Sequence, residues 1–332
     1  MPNSALRILR SALRTPHSTC CVPFRLQRAA AITPARKHEN SHRKQRMPNP
    51  FNQQIIEEFR ANHGEVGGYF EGARLILLTT TGARTGSPHT TPLGYLPDGG
   101  DGTILVIASA GGSPKHPDWY RNVVATPRVT IESGVFTYEA EAVVLAGEER
   151  DRAFARAVEA EPGWAEYQAK TDRTIPVVAL RELPKAGPPN INAGSMGKAI
   201  KVVHDAFRRE LALIRRELTD SNGKPTLGAQ LRINCLTFCQ GLHNHHTGED
   251  TMLFPFLADR HPELSPTLGR LQEEHEQIAA LVEDLRRVVT ADDTDPVAVL
   301  PEVDRLIARL EAHLAYEEEQ LIPTLDAATT TT

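Results

Sequence analysis

The chain has 332 residues, long for one domain and ample for two, and its 40% hydrophobic and 24% charged residues are an ordinary globular balance. Its net charge of −5 is uneven: residues 1–46 hold ten Lys or Arg against one acid, Glu39, so the body beyond them is acidic. An acidic body excludes non-specific nucleic-acid binding, which needs a basic surface to displace counterions, and no apolar run approaches the roughly 20 residues that span a bilayer.

Residues 1–46 are rich in Arg, Ser, Ala and Pro and have no lasting periodicity. Such a start is read either as a mitochondrial transit peptide or as a disordered extension or a misassigned upstream start codon; the second reading is adopted, with a cytoplasmic location. Met47 opens a first domain, 47–182. Its β-branched runs predict strands at Arg74–Thr81, His89–Leu96, Thr103–Ser109, Arg128–Ser133, Val135–Leu145 and Thr174–Leu180. Ser133-Gly134 between two of them signals a tight turn. Short helices fit at Asn52–Asn62, Pro117–Ala125 and Glu148–Ala160. Many short, hairpin-connected strands with few helices predict an antiparallel barrel.

Residues 183–195 (LPKAGPPNINAGS) have the Pro, Gly and Asn content of a linker. Beyond it, a domain spanning 196–327 shows long amphipathic helices at Met196–Thr219, Leu227–Leu257, Ser265–Thr290 and Val297–Leu325, followed by a 328–332 tail. Four such helices with short connections predict an up-down bundle. Cys235 and Cys239 stand at helical i, i+4 spacing rather than in a CxxC motif, and are read as buried thiols. Cys20 and Cys21 fall in the basic extension.

The helical half contains an echo. His245-His246-Thr247-Gly248-Glu249, with Leu253 and Pro255 beyond, repeats as His313-Leu314-Ala315-Tyr316-Glu317, with Leu321 and Pro323 beyond. In each copy a His and a Glu lie four apart, one helical turn apart on one face, so imidazole and carboxylate can reach one ion. The Pro six residues after each Glu is expected to bend or end the helix. A single HxxxE is usually a solvated pair. Two aligned copies, plus His204 and His275 on the other two helices, favour a metal site of His204, His245, Glu249, His275, His313 and Glu317. Imidazole and carboxylate suit iron, with zinc or manganese as alternatives. His243, His246, His261 and Asp250 are left over and are expected outside the ligand set, behind the ligands or at the surface.

This half, Met196 to Ala327, resembles the hemerythrin-like family, whose ligand order is H…HxxxE…H…HxxxE. The resemblance implies an all-α bundle with two iron ions. Oxygen-carrying members place a second His four residues after the one on the third helix; here that position is Ala279. The departure points away from reversible oxygen storage and toward reaction with, or sensing of, O2, peroxide or nitric oxide.

In the first domain, one strand ends in Thr79-Thr80-Thr81-Gly82-Ala83-Arg84-Thr85-Gly86, a tight turn with exposed amides, a fixed positive charge and a hydroxyl. Another ends in a Gly-rich turn, Ser109-Ala110-Gly111-Gly112, followed by Lys115 and a helix start. Amides, a helix N-terminus and a Lys suit an anionic tail, although each loop alone reads as a plain turn. LLTTTGARTG, PLGYL, ASAGGSPKHPDWYRN and TDRTIPVV together resemble the deazaflavin-dependent nitroreductase family, split β-barrels related to the flavin reductases that bind reduced coenzyme F420. The resemblance implies contacts to that coenzyme from Arg84, Thr85, Pro92, Leu93, Gly94, Ser109, Ala110, Trp119, Tyr120 and Asn122. Some members have Lys where this chain has Ala110. Some place three tyrosines over the substrate where this chain has Glu161, Trp164 and Tyr167, so substrate choice does not carry over; Trp164 and Tyr167 remain as substrate wall, with Tyr167 the candidate proton donor beside solvent. The implied reaction is hydride transfer to a quinone, nitro compound or activated alkene, the cofactor carrying the chemistry. FMN in place of F420, a homodimer, and a non-enzymatic iron sensor with the barrel as scaffold are the alternatives this reading leaves open.

Overall fold

Aliphatic runs buried on both faces lay out the first half. The computed structural model describes residues 49–99, 102–134, 136–183, 190–191, 194–221 and 226–329; the basic extension, most of the linker and the end of the tail lie outside them. After helix α1 (Pro50–Ala61) come β1 (Leu75–Thr81), β2 (Pro88–Gly94), β3 (Leu96–Pro97) and β4 (Ile104–Ile107), then α2 (Asp118–Ala125), β5 (Arg128–Ser133) and β6 (Phe136–Val144), then α3 (Gly147–Ala160), α4 (Gly163–Ala169), β7 (Val177–Glu182) and β8 (Asn190–Ile191). The sheet order is β2-β1-β5-β6-β7-β4-β3, with β8 also on β6. All its pairs are antiparallel, the split-barrel architecture.

Period-two alternation sends Ile76 and Leu78 into the interior with Val106, Ile131, Val178 and the α2 residues Trp119 and Val123. Leu75 and Leu77 point the other way, under Ile55, Ile56 and Phe59 of α1. Leu105, Ile107, Val177 and Ala179 likewise pack beneath Ala153, Phe154 and Ala157 of α3. Strands covered on both faces read as unbroken apolar runs, which is why β1 and β7 stand out in the sequence.

Three features differ from the sequence reading. The run His89–Leu96 is two strands, because β2 stays with β1 up to Gly94 opposite Leu75 while Leu96 turns to pair with Leu105. Helix α4 buries no residue, so no apolar periodicity announced it. Within the linker, Asn190 and Ile191 pair with Thr137 and Phe136 as β8.

The second half comprises α5 (Met196–Asp220), α6 (Ala229–Gly248), a π-helical turn (Glu249–Leu253), α7 (Phe254–Arg260), α8 (Ser265–Thr290) and α9 (Pro296–Thr329). Helix α5 packs on α6 and α9, and α8 packs on the same two, closing a four-helix bundle. The two prolines of the repeat act differently. The Phe254 N–H reaches back five residues to the Glu249 carbonyl, widening the turn just before Pro255. Pro323 lies within α9, which continues through Thr329, so it does not end the helix. Pro323 and Glu319, whose carbonyl loses its i+4 donor, are both exposed, so water can replace the missing bond.

The halves share more than a tether. Phe136 is buried within the bundle's apolar cluster and Tyr138 packs against it. Arg74, 8% exposed, donates to Glu210 at 2.6 Å and also pairs with Glu217, both on α5. Asn234 of α6 donates to the second Glu217 oxygen at 2.9 Å, and Gln230 donates to Asn234 Oδ1 at 3.0 Å and to the Pro97 carbonyl at 2.8 Å. Glu159 of α3 accepts the Ala229 N–H at 3.0 Å, capping α6 from the other domain.

Candidate metal centre and cofactor loops

The bundle brings together every metal-ligand candidate of the sequence reading, and adds one. His204 (α5), His245 (α6), Glu249 (π-turn), His313 and Glu317 (α9) are all fully buried, and His275 (α8) is 3% exposed. Ligand atoms of His204, His245, Glu249 and Glu317 lie within 4.8 Å of one another, and so do those of His246, His275 and His313. The carboxylates span the two groups. Glu249 stands 3.3 Å from His245 Nε2 and 3.6 Å from His275 Nε2. Glu317 stands 3.6 Å from both His204 Nε2 and His313 Nε2.

Outer carboxylates set the imidazoles. His204 Nδ1 lies 3.0 Å from Glu318, His275 Nδ1 2.8 Å from Asp250, and His313 Nδ1 3.0 Å from Glu274. A carboxylate accepts, so each Nδ1 carries the hydrogen and each Nε2 presents a lone pair. His275 Nε2 and His313 Nε2 then face each other at 3.2 Å, lone pair to lone pair, an arrangement that a cation relieves. His204 Nε2, both His245 nitrogens, His246 Nε2 and all four oxygens of Glu249 and Glu317 are buried without a hydrogen-bond partner. Burial pushes the Glu249 carboxyl well above its usual range, and Glu317 adds to this; burial pushes His245 and His246 well below theirs. Neutral imidazoles around two crowded buried carboxylates fit one or two divalent ions.

Of the leftover residues, Asp250 stands behind His275, while His261 is at the surface beside Glu263. His246 is not at the surface: it is 6% exposed, its ring stacks on His275 at 4.1 Å, and a ligand atom of it lies with those of His275 and His313.

The barrel loops are tightly made. Gly82 donates to the Ser87 carbonyl at 2.8 Å and accepts from Thr85 and Gly86. A Cβ on Gly82 would fall 2.5 Å from Thr85 Oγ1. Arg84 and Thr85 are exposed on this loop, Lys115 is exposed on the second, and Pro92 and Leu93 are part-buried on β2 before an exposed Gly94. Ala110 holds a positive φ of 49°, a position that favours glycine. Ser109 is buried, and its Oγ accepts from Gly111 at 3.4 Å. Trp164 and Tyr167 pack edge to face at 5.9 Å on α4. The Tyr167 carbonyl lies so close to Gly112 that a Cβ there would meet it at 2.8 Å.

Two residues assigned to the coenzyme by resemblance are buried. Asn122 accepts the Ala83 N–H at 3.0 Å and donates to Thr80 Oγ1 at 3.0 Å, bracing the first loop from α2. Trp119 is buried in the barrel core, with the part-buried Tyr120 edge-on to it. Arg173, which sequence reasoning passed over, ties down the second loop. It donates to the carbonyls of Ser113 (2.8 Å), Ala108 (3.1 Å) and Ser109 (2.6 Å). Its only signal was its place in the TDRTIPVV run.

Residues 52–182 match the family model of F420H(2)-dependent quinone reductase, and residues 196–325 that of the hemerythrin HHE cation binding domain. An F420H(2)-dependent quinone reductase of Mycobacterium tuberculosis is 37% identical over 126 residues, 37% of this chain and 83% of its own length. The chain belongs to the F420H(2)-dependent quinone reductase family, with a hemerythrin HHE domain joined to it. A second, putative quinone reductase of Mycobacterium tuberculosis is 33% identical over 114 residues, 34% of this chain and 94% of its own length. A solved F420-H2 dependent reductase is 44% identical, covering 32% of this chain and 94% of its own, with a TM-score of 0.30. These likenesses fall on the barrel. Among the described residues, no helix is long and apolar enough to cross a membrane.

Proposed function

We propose that the chain is an oxidoreductase that takes a hydride from reduced coenzyme F420 to a quinone, nitro compound or activated alkene, and that its bundle holds two iron ions and binds or senses O2, peroxide or nitric oxide. In this reading the reductase is 47–182, the linker 183–195 and the metal domain 196–327. The observation that carries the reductase half is the 37% identity to a quinone reductase across 83% of that enzyme. When bound, the deazaflavin supplies the hydride. The chain positions it and excludes water. Arg84, Thr85 and Lys115 are exposed on their loops and suit the anionic tail. Pro92–Gly94, Ser109 and Ala110 would hold the ring system, Trp164 and Tyr167 would form the acceptor wall, and Tyr167 can hold a proton for the product. Asn122 and Arg173 act by keeping the two loops in shape, and Trp119 packs the core beneath them.

The metal half rests on the converging, unpartnered lone pairs of His204, His245, Glu249 and Glu317 beside His275 and His313. Two bound iron ions would supply coordination sites for a small oxidant. The chain's own residues contribute imidazoles held in one tautomer and a buried pocket.

The deciding experiment mixes the purified protein with reduced F420 and a panel of quinones and nitroarenes, with FMN titrated in parallel. Oxidation of F420H2 that requires an acceptor supports the reading. No oxidation with any acceptor overturns the enzyme and leaves the barrel a scaffold for the bundle, while tight FMN binding without F420 binding replaces the cofactor.

A further inference from the structure

The two groups of buried ligand atoms are unlike. One contains both carboxylates with His204 and His245; the other is His246, His275 and His313, all imidazole. Adjacent residues on a helix diverge by about 100°, so α6 can serve both groups. The His245 ring stands 5.3 Å from that of His204, and the His246 ring lies 4.1 Å from that of His275 at an interplanar angle of 10° and 5.2 Å from that of His313. His246 Nε2 is buried and unpartnered. In a protein core such an atom calls for a partner that the polypeptide does not provide.

Beside this group lies a cavity of about 390 Å³. His246, His275 and Ala279 line it, with Leu242, Ile278 and Val282 as apolar wall, and no member of the carboxylate-containing group reaches it. Ala279 is four residues after His275, so the two share a face of α8. A methyl group stands there, and the space beyond it is open.

We propose that His246 is a ligand of the ion held by His275 and His313, and that the cavity beside Ala279 admits a small molecule with one donor atom to that ion. The inference rests on the reading of the bundle as a two-metal centre. Ala279 is the sterically decisive position: a ring there fills the entry, and an imidazole there stands where it can take over from His246.

The test uses the full chain loaded with ferrous iron and then oxidised in air to the ferric state, with iron per chain read from metal analysis and azide binding from the charge-transfer band of the optical spectrum. His246→Ala is expected to weaken one of the two ions by about tenfold to a hundredfold or more, a loss that even an outer partner of a ligand produces. His243→Ala, a rim residue, keeps both. His246→Ala/Ala279→His regains the lost ion, which a purely structural role for His246 does not predict, and this variant carries the test should the single variant fail to fold. Ala279→Phe keeps both ions but weakens azide binding by about tenfold or more, the loss of a close ligand contact. Two ions at unchanged affinity in His246→Ala, or unchanged azide binding in Ala279→Phe, overturns the inference. A wild-type chain that takes up no metal overturns the two-metal reading itself, an outcome distinct from either.

Discussion

At the residue scale, the spacing of His and Glu marked out the candidate metal site. Two copies of one pattern on different helices single out side chains that turn inward, and His245, Glu249, His313 and Glu317 are buried together. Replacing His313 and Glu317 by Ala is expected to drop the iron content from about two ions per chain to one or none, read by metal analysis beside the wild type; unchanged metal would remove α9 from the site. His246 was not legible as a group member, because its neighbour already satisfied the repeat and nothing in one sequence tells which of two adjacent histidines faces a third helix. Arg173 was equally silent, since its role is to hold carbonyls that the fold brings together. The cysteines were simpler. Cys239 is buried and its thiol is pushed up to about 12 by that burial, and Cys235 is pushed up further, so at pH 8 neither is a thiolate. In a chain with Cys20 and Cys21 changed to Ser, a thiol reagent should label almost nothing until denaturant is added; fast labelling of the native protein at pH 8 would contradict this.

At the scale of elements, both halves were readable where burial imposes a period. The apolar runs gave β1 and β7, and the long amphipathic stretches gave α5, α8 and α9. The failures have a common physical origin, which is that backbone partners are chosen by distant segments. Residue Tyr95 donates to the Arg74 carbonyl at 3.1 Å and ends one strand so that another can begin with a different neighbour. The π-turn is another case, since one widened turn carries Glu249 inward just ahead of Pro255. The braced Gly82–Gly86 loop gives a test at this scale. Asn122→Ala leaves the Ala83 N–H without its acceptor and Thr80 Oγ1 with only its bond to the His89 carbonyl, costing about 1–3 kcal/mol. The melting temperature should fall and F420 affinity should weaken while iron content stays unchanged; intact coenzyme binding would show that the brace does not shape the loop.

At the scale of the whole molecule, the linker composition marked a boundary between two domains, and contacts cross that boundary. Arg74, Glu217, Asn234 and Gln230 form one polar chain from the start of β1 through α5 and α6 to Pro97. Sequence reasoning had no access to it, because each residue alone reads as an ordinary surface polar group. Arg74→Met removes the cation between Glu210 and Glu217, which keep 25% and 31% of their exposure. The expected cost is about 2 kcal/mol, below the roughly 3–5 kcal/mol of a fully enclosed pair. Calorimetry should show a lower transition, and separate melting of the barrel and bundle would mark the network as what joins them; an unchanged thermogram would assign the coupling to the apolar contacts alone.

The burial of Phe136 among bundle side chains has a consequence for how the protein is made. The barrel leaves the ribosome first, and the residues that will cover Phe136 and Tyr138 are the bundle's, ending at Thr329. At about 5–20 residues per second the end of the final helix follows the end of the barrel by roughly seven to thirty seconds. During that interval a nascent barrel carries an aromatic patch awaiting its cover, and a chain halted in the linker keeps it. Truncated products are therefore the form of this protein most prone to chaperone capture or aggregation.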